Sequence, residues 1–201
     1  MIQGSPEWFE ARRGNVGASS VYKVMAKGQG KTRRSYMDEL LAEKLGCVIE
    51  GFTNAAMERG TELEPVARSQ YEIERDAMVQ EAGFIMHSTI AGFGASPDGL
   101  VGDDGLIEIK CPNTVTHLAT LESGTIDGKY QWQMLAQMAC TGRQWCDFMS
   151  YDDRMPDDLQ SVIIRFDRDE KKISQMETEV SAFVAELNER FQAIKEKRGI
   201  A

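Results

Sequence analysis

Asp98, Glu108 and Lys110 stand in a run that reads Ser96-Pro97-Asp98-Gly99, Gly102-Asp103-Asp104-Gly105 and Glu108-Ile109-Lys110-Cys111-Pro112. Its pattern is that of a β-hairpin. Alternate residues of a strand share a face, so Glu108 and Lys110 point one way and Ile109 the other. A three-residue loop centred on Asp103 sets Asp98 opposite Glu108, whereas a five-residue loop centred on Asp104 sets it opposite Lys110. Either register gathers two carboxylates and an ammonium on one surface.

That set suits metal-assisted cleavage of a phosphodiester. Two hard carboxylates, with the Ile109 carbonyl as a third donor, match Mg²⁺ or Mn²⁺, which prefer oxygen ligands and keep several waters. Such an ion polarises a phosphoryl oxygen and lowers the pKa of a bound water, and a second ion about 3.5–4 Å away stabilises the leaving oxygen. Lys110 would hold the attacking water and offset developing charge. The competing account is a surface hairpin with solvated acids. Two features weigh against it: Ile107 and Ile109 alternate with Glu108 and Lys110 as in a half-buried strand, and Ser96-Pro97 and Cys111-Pro112 restrict the backbone at both ends.

The hairpin resembles that of the PD-(D/E)XK nucleases. Its wording, S-P-D-G…E-x-K-C-P, is similar to the lambda exonuclease (YqaJ-type viral recombinase) family in particular. Three more segments agree in order. Trp8-Phe9-Glu10-Ala11-Arg12 followed by Gly17-Ala18-Ser19-Ser20 resembles the family's W-x-x-x-R…A-S element. Arg59-Gly60-Thr61-Glu62-Leu63-Glu64 resembles its G-x-x-x-E helix, and Tyr130-Gln131-Trp132-Gln133 its Y-x-x-Q helix. Together they cover roughly residues 8 to 150.

The resemblance implies a restriction-endonuclease-like α/β fold, a central mixed sheet flanked by helices, in one domain over residues 1–201. It implies a Mg²⁺-dependent 5′→3′ exonuclease for double-stranded DNA ends in a phage or prophage recombination system, leaving 3′ single-stranded tails. It further implies a ring-shaped homotrimer threaded by DNA, working with a single-strand-annealing recombinase in the host cytoplasm. Residue by residue, Asp98 and Glu108 would bind metal, as two ions, Lys110 would position the water, and Glu64 and Gln133 would support the site. Arg12, Ser19, Ser96 and Gln133 would hold the terminal 5′-phosphate, and Met57 falls where the family places an apolar wedge between the strands. The segment Ala91-Gly92-Phe93-Gly94-Ala95 has no acidic residue, which leaves Asp98 and the scissile phosphate as the main ligands of the second ion.

A net charge of −9 argues at first against a DNA partner, because phosphate neutralisation drives most nucleic-acid affinity. The charge is unevenly spread: residues 1–34 carry seven Lys and Arg against Glu7 and Glu10, a balance of +5, leaving −14 on the rest. Arg13, Lys31 and Arg33 are therefore DNA-contact candidates on a basic N-terminal arm. The length and a 42% hydrophobic content fit one well-buried domain. No run of about 18 apolar residues and no basic-then-apolar leader is present, so neither a membrane span nor secretion is expected. Cys47, Cys111, Cys140 and Cys146 lack metal spacing and read as reduced, mostly packed thiols. His87 and His117 have no ligand-spaced partners, which argues against zinc. Gly28-Gln29-Gly30-Lys31-Thr32 imitates a phosphate loop, but Met25 stands where its first glycine is required.

The elements that must position the site read as α/β. Short helical character is expected over residues 17–26 with a cap near Ser19, then a flexible basic loop from Lys27 to Arg34. A helix follows from Ser35 with Leu40, Leu41 and Leu45 inward and Gly46 as its stop. After a loop over 48–54, a helix from Ala55 to Arg75 is kinked or restarted by Pro65. Strands are expected over 82–87, 91–95, 97–101, 105–110, 146–151 and 161–166, with a helix over 129–141. Ile173, Met176, Val180, Phe183, Val184, Leu187, Phe191 and Ile194 recur at helical steps and mark a long amphipathic helix. Two further readings stay open: an endonuclease of restriction or nicking type with the same chemical core, and a DNA-end-binding module without catalysis.

Overall fold

Ser5 opens the first helix, α1 (Pro6–Arg12), by accepting from the Trp8 N–H; Pro6 sits in the first turn, where a missing N–H costs nothing. In this computed structural model, which describes residues 3–26, 31–48 and 54–199, the chain then forms β1 (Val16–Gly17) and a 3₁₀ turn (Ala18–Ser20) that runs into α2 (Val21–Met25). Ser19 does not cap this helix. Ser20 occupies the cap position without a side-chain bond, and Ser19 is left exposed.

The expected basic loop is corrected in its second half. Lys31, Arg33 and Arg34 lie on α3 (Lys31–Lys44), while residues 27–30 fall outside the described residues. Straight-chain Lys and Arg favour helix as readily as coil, so charge alone was a poor sign of a loop. Leu40 and Leu41 are buried as expected, but Leu45 lies beyond the last turn and is 40% exposed. Asn54 caps α4 (Ala55–Arg75) by accepting from Met57 N–H at 2.9 Å. The helix runs through Pro65 as one element rather than restarting there. Residues 49–53 of the expected loop are outside the described residues.

The strands are β2 (Val79–Gln80), β3 (Ile85–Met86), β4 (Phe93–Ala95), β5 (Gly99–Val101), β6 (Gly105–Lys110), β7 (Trp145–Tyr151) and β8 (Ser161–Asp167). Five form a mixed sheet in the order β2-β5-β6-β7-β8, in which β6 and β7 are parallel and the other neighbours antiparallel. A small second sheet has the order β1-β4-β3. Between the parallel strands the chain crosses over through α5 (Thr114–Ser123) and α6 (Gly128–Thr141), the connection parallel pairing requires. The chain closes with α7 (Glu170–Arg198).

Each face of the large sheet has its own core. Leu106, Cys146 and Phe148 pack with residues of α2, α3, α6 and α7, among them Ile173, Met176, Val180, Phe183, Val184 and Leu187. On the opposite face Ile107, Ile109, Met149 and Tyr151 pack against Ala67 and Tyr71 of α4. The alternation along β6 thus sends Leu106 and Glu108 toward α6, and Ile107 and Ile109 toward α4. His87 and His117 are both structural. The His87 ring accepts from the Thr89 and Ile90 N–H groups and meets Glu177, while His117 joins Ser150 to the Leu159 carbonyl.

The β5–β6 turn fixes the geometry of the site. Gly99 pairs with Ile107, Leu100 with Leu106 and Val101 with Gly105, so the loop is Gly102 to Asp104, centred on Asp103. Gly102 takes φ +52° there, a left-handed conformation suited to glycine. A Cβ at Gly105 would come within 2.1 Å of the Trp145 ring, so no side chain fits without moving the indole. Arg143 donates to the carbonyls of Val101, Gly102 and Gly105 at 3.2, 2.8 and 2.6 Å, clamping the turn from the end of α6.

Candidate active site

Continuing that register beyond the ladder sets Asp98 opposite Glu108, the outcome of the three-residue loop. The Asp98 Oδ2 accepts from the Ile109 N–H at 2.7 Å, which pins the carboxylate to the neighbouring strand. Burial, and then the nearby Glu108, push the Asp98 carboxyl well above the usual carboxylate range; Lys110 opposes this. Glu108 has no exposed surface. Its Oε1 accepts from Lys110 Nζ and from Gln133 Nε2 at 2.7 Å, and its Oε2 accepts from Gln137 Nε2 at 2.5 Å. Burial works against the Lys110 ammonium, but Glu108 and Asp98 outweigh it and raise its pKa. Lys110 therefore stays protonated, with its Nζ 5.3 Å from the centre of the Tyr130 ring.

Glu64 reaches the rim of this centre from α4. Burial raises its carboxyl above the ordinary value, with Glu108 adding to the effect, while Arg68 Nη2 at 2.9 Å acts in the other direction. The two glutamines at the start of α6 have different duties. Gln133 turns inward to Glu108, whereas Gln131 bonds the Ile126 carbonyl at 2.8 Å.

A cavity of about 160 Å³ opens beside Asp98 and is lined by Arg12, Ser19, Ser96 and Gln133 together with Trp8. The four residues drawn from separate sequence segments thus meet in one place, with an edge on the carboxylate centre. Trp8, which the residue pattern marked only as part of a motif, organises it: its Nε1 donates to Ser96 Oγ at 2.9 Å, and the Arg12 guanidinium stacks 3.9 Å above its ring. Arg12 forms no ion pair with a carboxylate among the described residues, and burial lowers its pKa. A half-buried cation without a partner, beside two hydroxyls, suits an anionic ligand.

The DNA-contact candidates divide. Met57 is 53% exposed at the first turn of α4, so it is not a core methionine. Lys31 is exposed. Arg13 pairs with Glu10 at 2.7 Å and Arg33 with Glu186 at 2.8 Å, so both would have to exchange a partner to meet phosphate.

Among the described residues no group of three or more His, Cys, Asp or Glu side chains is arranged to hold a metal ion. The donors at the hairpin are two carboxylates and a backbone carbonyl, all oxygen. Such a set fits Mg²⁺, which is commonly held by one or two carboxylates plus substrate phosphate. Burial and then the neighbouring Glu108 raise the Asp98 pKa, and a bound cation would act against both.

A mixed sheet with helices on both faces and a D…ExK hairpin defines the restriction-endonuclease-like fold. A phage-related exonuclease from Haemophilus somnus 129PT shares that fold at TM-score 0.72 and 17% identity, over 91% of this chain and 96% of its own. Residues 7–144 match the YqaJ-like viral recombinase domain. An alkaline exonuclease from Laribacter hongkongensis is 56% identical over 97% of this chain and 98% of its own, at TM-score 0.93, and a second structure of that relative is a complex with dAMP. Comparison with curated proteins finds no match. The chain belongs to the YqaJ-like viral recombinase family.

Proposed function

We propose that the chain is a Mg²⁺- or Mn²⁺-dependent 5′→3′ exonuclease that degrades one strand from double-stranded DNA ends and leaves 3′ single-stranded tails. The observation that carries this reading is the shared cavity. Asp98 and Gln133 of the carboxylate centre line the same space as Arg12, Ser19 and Ser96. A strand held there by its 5′-phosphate presents an adjacent phosphodiester to the hairpin, which couples end recognition to cleavage.

Asp98, Glu108 and the Ile109 carbonyl would hold the metal, as two ions when substrate phosphate is present. Bound there, the metal supplies a polarised phosphoryl oxygen and a water of lowered pKa. Lys110 would donate to the attacking water and balance charge on the pentavalent phosphorus, and the proton that water loses would pass to solvent. Gln133 orients Glu108, and Glu64 faces the centre from α4. Met57, exposed at the start of α4, would separate the strands, with Arg13, Lys31 and Arg33 along the backbone. On this reading the chain acts in phage or prophage recombination as a homotrimer in the bacterial cytoplasm and hands its 3′ tails to a single-strand-annealing recombinase. No helix among the described residues is long and apolar enough to cross a membrane.

A time course on linear and on covalently closed circular duplex tests the class of reaction. Linear DNA should be consumed with Mg²⁺ while the circle stays intact. Nicking or linearisation of the circle identifies an endonuclease instead.

A further inference from the structure

Gln137 lies fully buried on α6, four residues beyond Gln133 and so on the same helix face. Its Nε2 donates to Glu108 Oε2 at 2.5 Å, and the Cys146 thiol approaches its Oε1 at 3.9 Å. A carboxylate only accepts, so the amide must present its NH₂ end to Glu108 and its oxygen to Cys146. Burial pushes the Cys146 thiol well up, so the sulfur keeps the proton it offers to that oxygen.

An ionised carboxylate offers about four acceptor lobes, two on each oxygen. Lys110 and Gln133 take both lobes of Oε1, and Gln137 takes one of Oε2. Among the described residues, the lobe left over is on Oε2. We infer that Gln137 is a positioning residue of the metal site: by holding Oε2 it sets the direction of the one acceptor lobe of Glu108 left for a divalent cation. This rests on the reading of Glu108 as a metal ligand. Gln137 does not line the cavity of Arg12, Ser19 and Ser96, so it acts through Glu108 alone, whereas Gln133 borders both.

The test is direct Mn²⁺ binding, followed by the electron paramagnetic resonance of the free ion, to Gln137→Leu and Gln137→Met, which keep volume and lose the donor. Partners that orient a metal ligand typically contribute about 10- to 100-fold in metal affinity, and a loss of that size is expected. The Mg²⁺ concentration for half-maximal cleavage should rise in step, while metal-free binding to a 5′-phosphorylated duplex end is unchanged. Unaltered Mn²⁺ affinity in either folded variant overturns the assignment, because a merely structural glutamine would lower melting temperature without moving the metal constant. Should neither variant fold, the unmutated chain decides. The Gln137 side-chain amide resonances should shift as Mg²⁺ is titrated, and their standing still at saturation refutes the role. Full Mn²⁺ affinity in Glu108→Ala would overturn the reading of Glu108 as well as this one.

Discussion

The Arg12 guanidinium is stacked on Trp8 and free of any carboxylate partner among the described residues, and on the proposed reading it joins end recognition to polarity. If it grips the terminal phosphate with Ser19, Ser96 and Gln133, ends carrying a 5′-phosphate are cut faster than 5′-hydroxyl ends. Hydrogen bonds to charged groups contribute roughly 1.5–3 kcal/mol, which corresponds to a preference of about 10- to 150-fold. Arg12→Ala should remove most of that preference and harm hydroxyl-ended cleavage far less, read as kcat/KM on the two substrates. An equal loss on both would make Arg12 a general backbone contact. At this scale much of the site was legible in advance, since carboxylates, lysine and pocket residues sat in recognisable segments. Gln137 was not legible: it lies four residues after Gln133 and shares its helix face, but nothing in a sequence says that a helix glutamine faces a buried carboxylate rather than water.

The elements hold these residues through buried polar ties as much as through apolar packing. Asp152, at the end of β7 and without exposed surface, accepts from Arg154 at 2.7 and 2.9 Å, from Thr114 of α5 at 2.7 Å, and from Arg59 of α4. Burial opposes its charge, but the hydrogen bonds from Arg154 and Thr114 outweigh it and hold the carboxyl below the usual range. A depressed native pKa contributes stability that is complete above the unfolded value, near 3.9 for Asp, and disappears as pH falls through the native one. Asp152→Ala should therefore cost roughly 1.5–3 kcal/mol at neutral pH. The gap to the unmutated chain should narrow in denaturant melts as pH drops below 4; a gap that is constant with pH contradicts the tie. Register was narrowed to two choices at this scale, because Gly102 and Gly105 bracket a short turn, and the pairing of Gly99 with Ile107 selects the three-residue loop. The two-residue strands β1 and β2 were missed because pairing, not local sequence, creates them. α5 was missed although Asn113 and Gly124 mark its ends; its Thr-Val-Thr start suggests strand, and packing against β7 overrides that preference.

For the molecule as a whole, the uneven charge acquires a structural meaning. Lys23, Arg33 and Arg34 of the basic N-terminal region pair with Glu39, Glu186 and Asp38, so much of the +5 balance is spent inside the protein. A monomer would then hold DNA weakly, whereas a ring keeps the duplex by enclosure. Light scattering at micromolar concentration should give three times the 22.5 kDa chain mass; a monomeric mass with processive digestion retained would refute the ring. Whether a metal-dependent attack starts from the 5′ end at the Asp98–Glu108–Lys110 hairpin is decided on a linear duplex labelled separately at each 5′ and 3′ end. With Mg²⁺ the 5′ label should be released first, as mononucleotide, while the 3′-labelled strand persists as a single-stranded tail. EDTA should abolish release, and Glu108→Ala should lower it by at least ~10²-fold, the scale of losing one preorganised electrostatic group. Early loss of the 3′ label, or release that survives EDTA or Glu108→Ala, would contradict it.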